Sequence, residues 1–188
     1  MAGVKAVHPR VSYAELEQWP EDGRRYELYD GEVYVVPSPI LLHQIVSARL
    51  YLALEEYTRS HGGVVVYAPL DVVLTEYDVV QPDLLLFTRA RQHLLRADQV
   101  ARIPPDLAIE ILSPSTASND RGRKKKLLAR HAVQEFWLVD PKVPSIEVYR
   151  LMDRKFALAQ TAIGTDAIQS VLLPDLAVRP SELVADLP

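Results

Sequence analysis

Two carboxylates stand where apolar side chains dominate. Asp83 lies in QPDLLLF and Glu110 in PPDLAIEILSPS, and an ionised group inside such a run needs a partner or a cation, because burying it alone is costly. Strand alternation puts Ala108, Glu110 and Leu112 on one face and Leu107, Ile109 and Ile111 on the other, while Asp83 shares a face with Leu85 and Phe87. If the two strands are neighbours in the right register, the carboxylates converge. A third group follows in RGRKKKLLARHAV, where Lys124 stands at helical spacing from Leu127, Leu128 and His131 and so turns toward the core, while Lys125 and Lys126 turn away. Two acids and a lysine form a hydrolytic set: carboxylate oxygens suit Mg2+ or Mn2+, a bound cation lowers the pKa of water towards about 7, and an ammonium can orient that water or neutralise transition-state charge. The structural alternatives are a turn role for Asp83 and a buried or edge-strand ion pair, for instance with an arginine, for Glu110.

These residues need elements to hold them. Ser12 and Glu15 have capping-box spacing for a short helix ending by Pro20, and Asp30-Gly31 between RRYELYD and GEVYVV predicts a hairpin. Ser38-Pro39 predicts the start of a long helix carrying Leu42, Ile45, Val46, Leu50, Ala53, Leu54 and Tyr57, ended by His61-Gly62-Gly63. VVVYAP, DVVLTE and QPDLLLF read as three strands with a hairpin between the first two, and the polar piece from Thr88 to Arg102 holds a short helix. LAIEIL is a strand, and SPSTASND is its exit loop, in which Ser115, Thr116 or Ser118 can cap the next helix. EFWLVD, SIEVYRL and KFALAQTA form a meander, followed by the apolar VLLPDLAV and a helix from Ser181. This order predicts an α/β or α+β sandwich around a mixed sheet.

Composition sets the class. At 188 residues, 48% hydrophobic and 24% charged, the chain suits one ordinary globular domain over 1–188. No cysteine is present, which excludes a disulfide framework and thiolate chemistry and fits a reducing compartment. No apolar run reaches the length of a membrane span, and MAGVKAVHPRVSYAELEQWP lacks the apolar core of a signal peptide, so the expectation is a cytoplasmic protein with no membrane partner. A net charge of −4 argues against a protein that coats nucleic acid indiscriminately and leaves room for a local basic patch. There is no G-x-S-x-G, P-loop, G-x-G-x-x-G or H-E-x-x-H sequence to suggest another hydrolase.

In combination, VVQPDLLLF, PPDLAIEILSPST, DRGRK and EFWLVDP resemble the Uma family of restriction-endonuclease-like proteins, a branch of the PD-(D/E)xK nuclease superfamily, over a core from about Tyr26 to Tyr149. The resemblance implies an α/β fold with a mixed central sheet flanked by helices, Asp83 as the PD aspartate and Glu110 as the (D/E)xK acid. Where the superfamily expects its lysine, two residues after Glu110, this chain has Leu112, and Lys124 aligns with the helix lysine of the Uma pattern. The implied activity is a Mg2+- or Mn2+-dependent endonuclease acting on DNA, with Asp83 and Glu110 holding the cation and Lys124 positioning water. His43 matches a family position as a catalytic candidate, against a packed or surface histidine. Glu27 is a further candidate metal ligand, against simple pairing with Arg24 or Arg25. Arg121, Arg123, Lys125 and Lys126 are candidate phosphate contacts or solvated side chains. The alternative is a nuclease-like module that binds nucleic acid or self-associates with little turnover, a reading favoured by the acidic charge and the displaced lysine. A homodimer is the common arrangement of endonucleases that cut both strands.

Overall fold

The computed structural model describes residues 9–187. Most of the stretch MAGVKAVHPR, read above for a leader, lies outside the described residues. Ser12 caps α1 (Tyr13–Leu16) with Glu15 in a reciprocal capping box, as its spacing predicts. The strands β1 (Arg25–Tyr29) and β2 (Glu32–Val36) pair antiparallel across Asp30-Gly31. Both turn residues have positive φ, 53° and 81°, the two-residue turn whose twist suits a hairpin. A Cβ on Gly31 would also come within 2.6 Å of the Arg10 Cβ.

The long helix α2 runs Leu41–His61 and buries Val46, Leu50 and Leu54. It starts later than Ser38-Pro39 suggests: Ile40 is its N-cap, in extended conformation and without a side-chain cap. Two prolines, Pro37 and Pro39, favour extended backbone for the residues before them and keep the chain open up to that point.

The next strands are β3 (Val64–Tyr67), β4 (Val72–Thr75), β5 (Asp78–Val80) and β6 (Leu84–Phe87). The expected β3–β4 hairpin does not form. Instead β3 pairs with β6, and β4 pairs with β5 across a short turn. Closing the short loop between β4 and β5 costs less chain entropy than folding β4 back on β3, and the apolar LLLF of β6 offers β3 a full ladder. The run VVQPDLLLF is accordingly divided at Gln81–Asp83 between two sheets.

Strands β7 (Leu107–Ile111), β8 (Glu135–Asp140), β9 (Ser145–Met152) and β10 (Lys155–Ile163) complete the larger sheet, in the order β10-β9-β8-β7-β6-β3. Its β7–β8 pair is parallel and the others antiparallel, and β8-β9-β10 is the predicted meander. The smaller sheet, order β2-β1-β5-β4, is antiparallel throughout and was not foreseen as separate.

Alternation sorts the core. Leu84, Leu86, Leu107, Ile109 and Ile111 pack with α2 and the C-terminal segment on one face of the larger sheet. Leu85, Phe87, Ala108 and Leu112 pack on the other, with Leu127 and Leu128 and with Tyr29, Val72 and Val80 of the smaller sheet. The fold is thus α/β, a mixed sheet flanked by helices. A final short helix, α5 (Pro180–Leu183), closes the C-terminal side. Among the described residues no helix is long and apolar enough to cross a membrane.

Candidate active site

The register of β6 on β7 brings the two acids together. Leu84 is paired with Ile109, so one step further along the antiparallel ladder sets Asp83 opposite Glu110. Asp83 does not continue the strand; its Oδ2 accepts a hydrogen bond from the Ile111 N–H at 2.8 Å and lies 2.9 Å from His43 Nε2. The carboxylate is therefore fixed from β7 and from the first turn of α2. His43 Nδ1 is buried without a partner, so the Asp83 contact alone orients the ring.

Glu110 meets the helix that follows its own strand. That helix has three parts: α3 (Ala117–Asn119), a wider π-type turn over Asp120–Lys124, and α4 (Lys125–Arg130). In the wide turn the Lys125 N–H reaches back to the Asp120 carbonyl, and Asp120 and Lys124 both face inward. Lys124 Nζ lies 2.8 Å from Glu110 Oε1 and 2.8 Å from Glu27 Oε1, with Asp120 Oδ1 at 3.8 Å. The Glu110 contact is an ion pair without the direction of a good hydrogen bond. Glu27, on β1, also accepts from the Gln81 N–H at 2.8 Å and from the Tyr29 hydroxyl at 2.7 Å, and that hydroxyl accepts in turn from the Asn119 amide at 2.9 Å.

Glu27, Glu110, Asp120 and Lys124 are each no more than 3% exposed, so their charges interact in a poorly screened setting. With Asp83 they set four carboxylates against one ammonium. Burial pushes the Glu110 pKa well above the ordinary carboxylate range, although Lys124 pulls the other way and Asp120, Asp83 and Glu27 add to the rise. Burial likewise lifts Asp120 to about 6, against the opposing pull of Lys124 and a Thr116 hydrogen bond. For Lys124, burial works to lower the pKa, but Glu110 and Glu27 outweigh it and hold the ammonium well above its ordinary value. Burial, with Glu27, raises the Tyr29 hydroxyl.

Glu27, His43, Asp83, Glu110, Asp120 and Lys124 line a cleft of about 360 Å³, with Tyr34, Val35 and the 36–40 segment as one wall and 113–116 as another. In the second wall, the N–H groups of Thr116 and Ala117 both bond the Ser113 carbonyl, which reverses the chain. Thr116 occupies the N-cap of α3 without a side-chain cap.

The structure brings together Asp83, Glu110, Lys124, His43 and Glu27. Glu27 pairs with Lys124 rather than with Arg24 or Arg25, because it points inward from β1. The structure does not bring the other basic residues to the cleft: Arg121 holds both oxygens of Glu147 at 2.8 Å, Arg123 pairs with Glu32 at 2.9 Å and lies over the Tyr34 ring, and Lys125 sits 4.1 Å over Tyr149. Lys126 lines a separate groove with Arg123 and Arg130. Asp120, Tyr29, Asn119 and Gln81 were missed from the sequence. Asp120 carried a readable signal, since it stands four residues before Lys124 and shares its helical face.

A family model described as "Uma2: Putative restriction endonuclease" matches residues 13–181, nearly the whole chain. The chain belongs to the Uma2 family. The family read from the QPD, ILSPST and WLVDP motifs is thereby borne out, and it assigns the protein to the restriction-endonuclease-like nucleases. This Uma2 chain is similar to the "Uncharacterized protein slr1290" of Synechocystis sp., 27% identical over 151 residues, which are 79% of this chain and 78% of the other. In fold it is similar to a protein from Anabaena variabilis described as "a putative nuclease belonging to DUF820", with a TM-score of 0.76 and 21% identity over 93% of this chain and 98% of that one.

Proposed function

We propose that this Uma2 protein is a divalent-metal-dependent endonuclease that hydrolyses DNA phosphodiester bonds. The observation that carries the reading is the convergence of Asp83, Glu110 and Lys124 in one cleft, from three separate parts of the chain.

The donor set fits a hard cation. Four buried or half-buried carboxylates face a single ammonium, and a divalent ion offsets that excess of negative charge. Among the described residues, no three histidine, cysteine, aspartate or glutamate side chains are placed to hold a metal by themselves. Mg2+ or Mn2+ is commonly held by one or two carboxylates and completed by water and a substrate phosphate. Asp83 and Glu110 would hold the ion, with Glu27 as a further candidate beside them. When bound, the cation neutralises phosphate charge and acidifies water.

The chain's own residues supply the rest. His43 and the Ile111 N–H keep Asp83 aimed into the cleft. Glu27 and Glu110 hold the Lys124 ammonium in place by charge. The ammonium can orient the attacking water or donate to a phosphate oxygen as charge develops. The water attacks phosphorus in line with departure of the 3′ oxygen.

The test is cleavage of plasmid and oligonucleotide DNA by purified protein with Mg2+, with Mn2+ and with chelator. Cleavage that needs the metal and disappears in Asp83→Ala and Glu110→Ala supports the reading. Retained cleavage in either folded variant removes the assigned roles. Metal-indifferent DNA binding without cleavage would favour the binding-module alternative instead.

A further inference from the structure

We infer that Asp120 is a catalytic residue of this site, the group that takes the proton from the attacking water. The inference rests on the nuclease reading above and adds to it a step for which neither the metal-holding acids nor Lys124 is suited. Asp83 and Glu110 would hold the cation, and Lys124 is held as an ammonium between two glutamates, so it has no lone pair to offer.

Asp120 has the geometry for the task. It borders the cleft beside Glu110 and Lys124. Its residue is 1% exposed, and its Oδ2 is buried without any hydrogen-bond partner. A carboxylate oxygen in that condition gains by accepting a proton, since the neutral acid is cheaper to bury than the anion. The wide turn from Asp120 to Lys124 keeps the carboxylate facing inward but leaves its Oδ1 3.8 Å from the ammonium, beyond a direct hydrogen bond. The groups acting on it are Lys124 and Thr116 from its own helical segment, Glu27 from β1, Glu110 from β7 and Asp83 from the start of β6.

The step balances simply. The water oxygen forms a bond to phosphorus as its O–H bond breaks, and the proton passes to the Asp120 carboxylate. The bond from phosphorus to the 3′ oxygen breaks, and the leaving oxygen takes a proton from solvent. Asp120 then returns its proton to bulk water.

The test compares the full-length protein with its Asp120→Asn variant on a DNA oligonucleotide, across pH 5 to 8.5 with saturating Mg2+. The expected result is a fall in kcat of about 10²- to 10⁴-fold with little change in KM. The wild-type rate should rise with pH as Asp120 loses its proton, and the variant should lack that rise. A variant that keeps the wild-type kcat and acidic limb overturns the inference while leaving the nuclease reading intact. Absence of metal-dependent cleavage by the unaltered protein overturns both.

Discussion

Lys124 Nζ stands 2.8 Å from Glu110 Oε1 and the same distance from Glu27 Oε1, so one ammonium ties the central strand β7 to strand β1 of the smaller sheet. The lysine is both a chemical group and the counter-charge that lets these acids be buried side by side. Coulombic attraction of this kind offsets the cost of desolvation only while every partner is present.

Lys124→Met keeps much of the side-chain volume and removes the charge. The variant should lose about 3–5 kcal/mol of stability at pH 8, read from urea unfolding, because it leaves buried carboxylates without a partner. The loss should shrink at pH 5, where Asp120 can be neutral. Equal stability of variant and wild type at pH 8 would contradict the structural half of this role.

His43 touches the site through Asp83, and its replacement should act on the metal rather than on the fold. His43→Ala should weaken Mn2+ binding or metal-dependent cleavage about 10- to 100-fold, the usual effect of removing a group that orients a ligand. Electron paramagnetic resonance of free Mn2+ reads the affinity directly. Unchanged affinity and unchanged turnover would make His43 a bystander.

Much of this centre was legible in the sequence because its positions follow from periodicity. The period of two set Asp83 with Leu85 and Glu110 with Ala108, and the core shows those faces as read. Helical spacing turned Lys124 inward beside Leu127 and Leu128. Pairing between distant segments was not legible. Nothing in DVVLTE reveals that its partner is the three-residue strand Asp78–Val80, nor that VVVY joins the other sheet. Glu27 was harder still: its nearest sequence neighbours of opposite charge are arginines, and only the stacking of the two sheets aims it at Lys124.

The titration of Asp120 should appear in the stability of the metal-free protein. Its folded pKa, about 6, lies above the unfolded value of about 3.9, so between these the folded state binds more protons. Stability from this group is therefore present at low pH and falls as pH rises through that window, by about 3 kcal/mol. Asp120→Asn should flatten that part of the unfolding curve. A curve that falls by the same amount with and without the substitution would contradict the assignment.

Tyr29 holds Glu27 and Asn119 at once. Tyr29→Phe keeps the ring in the core and removes the hydroxyl, leaving Glu27 Oε2 and the Asn119 amide one bond short. The expected cost is about 1–3 kcal/mol by thermal or denaturant unfolding. A variant as stable as wild type would show that water replaces the hydroxyl without penalty.

Anomalous diffraction from crystals of the protein soaked in Mn2+ asks most directly whether the acids of β6 and β7 form a metal centre. The account predicts a peak between the Asp83 and Glu110 carboxylates that vanishes in Glu110→Ala crystals. A protein that cuts DNA in Mn2+ yet shows no peak there, or one that binds the ion at other side chains, would contradict it.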